Sequence, residues 1–265
     1  MPNEMTVSKL QEGLRTRWVG KEIFYSRSVE STNEWAKQLA ELGAREGTVA
    51  VAATQRKGHG RAGRAWVSPS AGLWFSILVR PRLKAGESAK LGFVAGLAVA
   101  EVLYEAYGLN VETRWPNDVL MNGKKVGGIL AEMVTSGEAV NYTVVGIGVN
   151  ANFKVKEALP RTLWRKTTSI EDELGKHIQL DVLFRVLLER FELMYELFVR
   201  DGLEPVLERW KKYAAFLGGQ VDVTSENERW TGTAVDVDAD GALILKLDDG
   251  STERVFSGDV SIIVR

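Results

Sequence analysis

Residues 54–66 read T-Q-R-K-G-H-G-R-A-G-R-A-W, which sets Gly58, Gly60 and Gly63 among His59, Arg61 and Arg64, directly after Arg56 and Lys57. Glycine allows close backbone approach, and a guanidinium fork matches carboxylate or phosphate oxygens. Positions 47–86 hold no Asp or Glu but seven cations: Arg56, Lys57, Arg61, Arg64, Arg80, Arg82 and Lys84. The whole chain has 265 residues and a formal charge of −1, so this positive charge is local. The pattern describes a loop that folds over an anionic small molecule, ordered by the anion because its cations otherwise repel. A solvated basic surface loop explains the same letters. The string G-H-G-R-A-G also fits G-x-G-x-x-G, but that fingerprint needs a helix opening at the glycines and an acid about 20 residues on. Here A-W-V-S-P follows, and the first acid is Glu87. That match is accidental.

Two other segments carry polar residues where strands are expected to end. The first joins R-W-P-N-D at 114–118 to K-K-V-G-G at 124–128; the second is G-I-G-V-N-A-N at 146–152. Asp118 among cations suits Mg2+, which binds through one or two carboxylates plus substrate phosphates; it equally suits a turn after Pro116. Lys125 opens a strand otherwise fit for burial, although a lone lysine there is more often a solvated edge residue. Gly146 and Gly148 before Asn150 describe a crowded strand end that packs tightly or admits a flat ring.

The elements that must position these residues follow from pattern. A polar helix is expected over 6–17 and a strand over 23–25. S-T-N-E at 31–34 has capping-box spacing ahead of a helix through 42 that Gly43 ends; helix N-termini also attract anions, so Ser31 and Thr32 suit either task. Strands are expected over 48–54 and 73–79, and a small-residue-rich helix over 88–107. A strand over 111–115 is broken by W-P-N-D. Asn122-Gly123 then marks a hairpin between 119–121 and 126–133, and Ser136-Gly137 a second one leading into 141–150. A loop over 159–168 precedes helices at 170–174, 180–199 and up to about 213. After 217 the pattern changes to short strands at 221–224, 230–237, 242–247, 252–256 and 260–264. The expected architecture is α+β, a mostly antiparallel central sheet with packed helices over residues 1–217, and a small β-barrel over 218–265.

Composition removes several classes. The chain has no Cys and two His, which excludes disulfides, thiolate sites and Cys nucleophiles and disfavours a histidine-rich metal centre. Near-zero net charge argues against general nucleic-acid binding. No signal-like N-terminus or long apolar span is present, so the expected location is cytoplasmic with no membrane association.

The ordered set S-T-N, G-x-G-R-x-G-R-x-W, W-P-N-D, K-K-V-G-G-I-L-x-E and G-I-G-V-N resembles the biotin protein ligases, the biotin–[acetyl-CoA-carboxylase] ligases. The resemblance extends from about residue 8 to 265 and includes G-A-L-I-L at 241–245 and G-D-V-S at 258–261. Two departures stand out. His59 replaces the first arginine of the usual G-R-G-R, which removes an anion contact or makes it pH-sensitive. Only 30 residues precede Ser31, too few for the helix-turn-helix of bifunctional members, so the expectation is a ligase without the repressor function.

The resemblance implies a class II synthetase-like domain with an SH3-like C-terminal barrel. It also implies ATP and Mg2+ as cofactors, biotin as substrate and no tightly bound prosthetic group. The partner would be a biotin carboxyl carrier protein, the assembly a homodimer, with no DNA bound. Biotin would first become biotinyl-5′-AMP, and a carrier lysine would then take the acyl group. The catalytic residues so implied are Lys125 and Arg61. Ser31, Thr32, Asn33, Gln55, Gly58, Arg61, Lys125 and Gly128 would contact biotin. Arg61, Arg64, Trp66, Asn117, Lys125, Gly148 and Asn150 would serve ATP and the adenylate, and Asp118 would hold Mg2+. Lipoate ligases share the fold, but their R-R-x-x-G-G-G is absent here. A binding module that only docks an acidic partner would not need Lys125, Asp118 and the arginine loop together.

Overall fold

The computed structural model describes residues 5–81, 84, 87, 89–136, 139–225 and 228–263; the expected positions Arg82, Ser88, Gly137 and Val264 lie outside these. Helix α1 (Val7–Gln11) leads to β1 (Ile23–Val29), α2 (Thr32–Glu41), β2 (Val49–Gln55), β3 (Leu73–Val79) and α3 (Ala89–Tyr107). Strands β4 (Val111–Arg114), β5 (Asp118–Met121), β6 (Lys124–Ser136) and β7 (Ala139–Val149) follow. Then come α4 (Val155–Ala158), α5 (Ile170–Leu174), α6 (Leu180–Asp201) and α7 (Glu204–Lys211). The chain closes with β8 (Gln220–Thr224), β9 (Arg229–Val237), β10 (Leu243–Leu247), β11 (Thr252–Val255) and β12 (Asp259–Ile262).

The first seven strands form one sheet in the order β1-β2-β3-β7-β6-β5-β4, parallel only between β1 and β2. Strand side chains alternate between faces. Val49, Phe75, Ile77, Val145 and Ile147 enter a core with α3, α6 and α7, where Phe75 meets Phe184 and Phe93 meets Trp210 edge-on at 5.2 and 5.1 Å. On the opposite face Ala50, Leu78 and Val144 pack on Ala36 and Ala40 of α2. Further along that face the side chains become Ser76, Gly146, Gly148 and Gly128, too small to fill the layer. A cavity opens there.

The last five strands form the expected small antiparallel unit, in the order β11-β10-β9-β8-β12. Its inner residues Val221, Val223, Ala234 and Leu243 join the same apolar cluster as α3 and α7. The Trp115 indole N–H donates to the Gly241 carbonyl at 3.0 Å. Among the described residues, no helix is long and apolar enough to cross a membrane.

The expected helix over 6–17 is a single turn and a half. Thr6 caps it, and Gly13 leaves in the left-handed region with φ 75°. The amides that follow have a better partner than helix carbonyls. The Glu192 carboxylate, buried on α6, accepts from the N–H groups of Arg17, Trp18 and Val19 at 2.6, 2.9 and 2.9 Å. Removing it strands the buried Val19 donor and two partly buried ones, and an unsatisfied buried donor costs about 1–3 kcal/mol. Glu192→Ala is therefore expected to destabilise by about 3 kcal/mol in urea unfolding, with Glu192→Gln intermediate because one carboxamide oxygen remains. An unchanged midpoint for Glu192→Ala would show that these amides find water instead.

Candidate functional site

The cavity has a volume of about 220 Å3, and its floor is the exposed end of β3, β7 and β6. The floor is flat for a definable reason. Gly128 and Gly148 are register partners across β6 and β7. A Cβ on Gly148 would stand 2.8 Å from the Trp66 indole nitrogen, and one on Gly128 would stand 3.0 Å from the Trp66 ring and 3.1 Å from Lys125 Cε. The paired glycines thus seat the indole against the sheet. Trp66 meets Trp74 edge-on at 6.2 Å, and among the described residues its buried N–H has no partner.

Lys125 stands at one end of this floor. Its Nζ lies 2.6 Å from Asp118 Oδ1 and 5.0 Å from the Trp66 ring centroid. The Lys125 backbone is pinned on both sides, donating to the Lys166 carbonyl and accepting from the Thr168 N–H at 2.8 and 2.9 Å. Asn150, almost fully buried, donates its amide to the Thr168 carbonyl at 2.9 Å and so ties the 165–169 segment to the sheet end. Asn117 donates to the Ile129 carbonyl at 2.6 Å while Ile129 N–H returns to Asn117 O at 2.9 Å. Both asparagines line the cavity and brace its walls.

The other end is polar and built at the start of α2. Thr32 donates both its N–H and its hydroxyl to Gln55 Oε1 at 2.8 and 3.1 Å, and Gln55 donates to Ser68 Oγ at 2.7 Å. Asn33 Oδ1 accepts from Ser76 at 2.6 Å. The capping box expected for S-T-N-E is not formed. Ser31 occupies the N-cap position, but its hydroxyl makes no capping bond; it lines the cavity instead, and Glu34 turns to Lys37 at 2.8 Å.

The glycine-arginine loop closes the cavity as a compact hairpin. Trp66 N–H donates to Gly58 O and Gly60 N–H to Arg64 O, at 2.8 and 2.7 Å, with Ala62 in the left-handed region at φ 52°. Its cations are mostly neutralised by acids that are distant in sequence. Glu30 holds Arg56 and Lys57 at 2.6 and 2.8 Å, which lowers the Glu30 carboxyl, chiefly through the Lys57 hydrogen bond. Asp259 of β12 grips Arg64 with both oxygens. The expected mutual repulsion is therefore offset within the fold. Arg61 differs: it donates to the Gly258 carbonyl at 3.1 Å and, among the described residues, forms no ion pair. Burial pushes its guanidinium below the ordinary arginine range despite nearby Asp259.

All the sequence-derived residues except Gly58 line this cavity. A Cβ on Gly58 would crowd Trp66 O and Ser68 Oγ, and it would stand 3.0 Å from Gln55 Nε2, so Gly58 backs the polar wall from behind. Sequence reading assigned no task to Ser76, Glu132 or Glu30. Strand alternation was the available signal for Ser76 and Glu132, while nothing local marked Glu30.

Residues 25–150 match the Biotin/lipoate A/B protein ligase family and residues 216–262 the Biotin protein ligase C terminal domain. The chain is 32% identical to the Bifunctional ligase/repressor BirA of Bacillus subtilis over 262 residues, 98% of this chain and 80% of that protein. It is 33% identical to the Biotin--[acetyl-CoA-carboxylase] ligase of Paracoccus denitrificans over 223 residues, 82% of this chain and 91% of the relative. Among solved structures, the biotin protein ligase from Aquifex aeolicus in complex with biotin and ATP superposes with a TM-score of 0.79 at 29% identity, covering 92% of this chain and 99% of that one. With its fold, its lysine-centred cavity and these relatives taken together, the chain belongs to the biotin protein ligase family.

Proposed function

We propose that this protein activates biotin with ATP to biotinyl-5′-AMP and transfers the acyl group to a lysine of a biotin carboxyl carrier protein. The observation that carries the reading is Lys125, held between Asp118 and the Trp66 face at the end of a narrow floor, with Arg61, which forms no ion pair among the described residues, on the loop above. In the first step a biotin carboxylate oxygen attacks the α-phosphorus, and the bond to pyrophosphate breaks. Bringing two anions together is a problem of positioning and charge. Lys125 Nζ bridges the carboxylate and α-phosphate oxygens, and Arg61 covers the product. In the second step the carrier amine attacks the acyl carbon, and AMP leaves with the bonding electrons.

The polar end built from Ser31, Thr32, Asn33 and Gln55 receives the ureido head, while Trp66 walls the valeryl chain. Gly128 and Gly148 keep the floor low enough for both. Asp118 is the single carboxylate among the described lining residues and is already paired with Lys125. That donor set suits Mg2+ only together with nucleotide phosphates, Asp118 supplying the protein oxygen. When bound, the ion neutralises phosphate charge.

Pyrophosphate release with ATP and Mg2+ is the direct test, comparing biotin, lipoate and no acid, followed by transfer to a biotin carrier domain. Biotin-dependent release with one labelled carrier lysine is expected. Release with lipoate alone would overturn the substrate; release with neither acid would leave a binding module. The floor has its own test. Overpacking costs about 1–3 kcal/mol of stability, so Gly148→Ala is expected to lower the unfolding midpoint and, by displacing Trp66, to weaken biotin binding about tenfold in calorimetry. Unaltered binding would separate the indole seat from substrate recognition.

A further inference from the structure

Two polar side chains stand behind the cavity wall, do not line it, and have no part in the chemistry of the lysine centre. They are Ser76 of β3, which is fully buried, and Glu132 of β6. Both belong to a hydrogen-bonded row that ends on Thr32, which does line the cavity. What the row does follows from counting its protons.

The count starts at Glu132. One of its oxygens accepts from the Lys37 ammonium at 3.1 Å, and the other accepts from the Asn33 amide nitrogen at 2.6 Å. Burial works against a charged carboxyl here, but the Asn33 bond and the Lys37 charge outweigh it and hold the group below the ordinary range. A carboxylate only accepts, and so does the Leu130 carbonyl, 3.2 Å from the same nitrogen. Asn33 must therefore turn its NH2 to these two acceptors and its oxygen toward Ser76. Gly146 leaves room for that oxygen, since a Cβ there would stand 2.2 Å from it.

Ser76 Oγ lies 2.6 Å from Asn33 Oδ1 and 2.7 Å from Thr32 Oγ1, with one proton for the two contacts. An amide oxygen has no proton to give, so the serine proton goes to Asn33. The contact with Thr32 is then made by the threonine proton, pointing back at Ser76. Gln55 Oε1, at 3.1 Å, competes for that proton but already accepts the Thr32 N–H at 2.8 Å. With either acceptor the Thr32 proton is spent on the protein, and only lone pairs are left for a ligand. Gln55 Nε2 gives one proton to Ser68 Oγ at 2.7 Å and keeps a second.

We propose that Glu132 and Ser76 are positioning residues that set the polarity of the cavity's polar end, committing the Thr32 hydroxyl to accept a hydrogen bond from the ligand. The head group so selected brings an N–H for Thr32 and a carbonyl for Gln55, as a cyclic urea does. A dithiolane ring brings neither. The inference rests on the biotin reading for its ligand, and on the proton count for the order of the wall.

Ser76→Ala cuts the row between Asn33 and Thr32 without touching the cavity. The Thr32 proton is then free to turn toward the ligand, where it opposes an N–H. Biotin affinity in calorimetry is expected to fall about tenfold, the effect of one misdirected hydrogen bond. The loss should appear in KM for biotin during pyrophosphate release, with kcat changed by less than about twofold. Glu132→Ala should act in the same direction but more weakly, because Leu130 still holds Asn33. In a Thr32→Val background neither replacement should cost more than about twofold, because their common target is gone. Equal losses with and without the Thr32 hydroxyl would make both residues merely structural and overturn the proposal. A ligand-free measurement separates it from the biotin reading. In nuclear magnetic resonance the native Thr32 hydroxyl proton should exchange slowly and show a cross-peak to the Ser76 β protons, and Ser76→Ala should make it exchange rapidly. Rapid exchange in the native protein overturns the proton order whatever biotin does. Slow exchange in a protein that binds no biotin would defeat the ligand and leave the proton order standing.

Discussion

Lys125→Ala is expected to slow biotin-dependent pyrophosphate release by about a hundred- to a thousandfold, the usual effect of removing one preorganised charge donor, while biotin still binds. The backbone at 125 is held by Lys166 and Thr168 independently of the side chain, so truncation leaves the floor in place. What changes is charge. The ammonium is lost from above the Trp66 ring, and Asp118 loses its partner at 2.6 Å. An unpaired carboxylate then faces incoming phosphates, which adds repulsion to the missing attraction. The pairing provides a control: Lys125→Ala with Asp118→Asn should recover part of the loss, because the repulsive charge is gone. Lys125→Arg should not recover the native rate, since a planar fork does not reproduce a point charge between two oxygens. Near-normal release by Lys125→Ala, with unchanged calorimetric biotin affinity, would remove Lys125 from the chemistry.

Arg61→Gly is expected to release the adenylate at least about tenfold faster, because truncating one partner of a hydrogen-bonded charge contact acts mainly on dissociation. Escaped biotinyl-5′-AMP reacts with exposed amines, so bystander proteins become labelled without a carrier domain. The ion pairs of the loop are the reason this effect is expected of Arg61 among the seven sequence-local cations. Arg56 and Lys57 are committed to Glu30, and Arg64 is committed to Asp259. Among the described residues Arg61 is the partly desolvated loop guanidinium that forms no ion pair, and it donates to the Gly258 carbonyl. It is therefore expected to gain most from an anionic ligand and, by reciprocity, to retain it most. Asp259→Asn should have a weaker effect in the same direction, since it frees Arg64 and loosens the loop without removing the ligand contact. The measurement is filter-retained adenylate over time, with labelling of an added bystander protein as the second readout. Tight retention by Arg61→Gly would show that the hairpin closes without it.

Much of this was legible in sequence, and for local reasons. Asn122 and Gly123 take the positive φ values of 50° and 73° that a two-residue hairpin demands. Helices α2, α3 and α6, the buried strand β3 and the five C-terminal strands followed from period and turn chemistry alone. The residue types around Lys125, Asp118 and the arginine loop pointed to an anion-handling site, and the fold brings them to one cavity. The capping box failed because the S-x-x-E spacing cannot report where the glutamate goes once Lys37 lies one turn away.

The types and order of the motifs, the element periods and the local charge excess were set by the sequence on its own, since each depends on neighbours within a few residues. Three things were decided only by tertiary structure. The acids that neutralise the loop come from Glu30 and Asp259, the latter 195 residues from Arg64. Gly128 becomes a floor only because β6 and β7 pair it with Gly148. The Glu192 carboxylate replaces helix bonds for residues 17–19 from 173 to 175 positions away. Ladder register and long-range charge pairing are properties of chain closure, and no local window contains both partners.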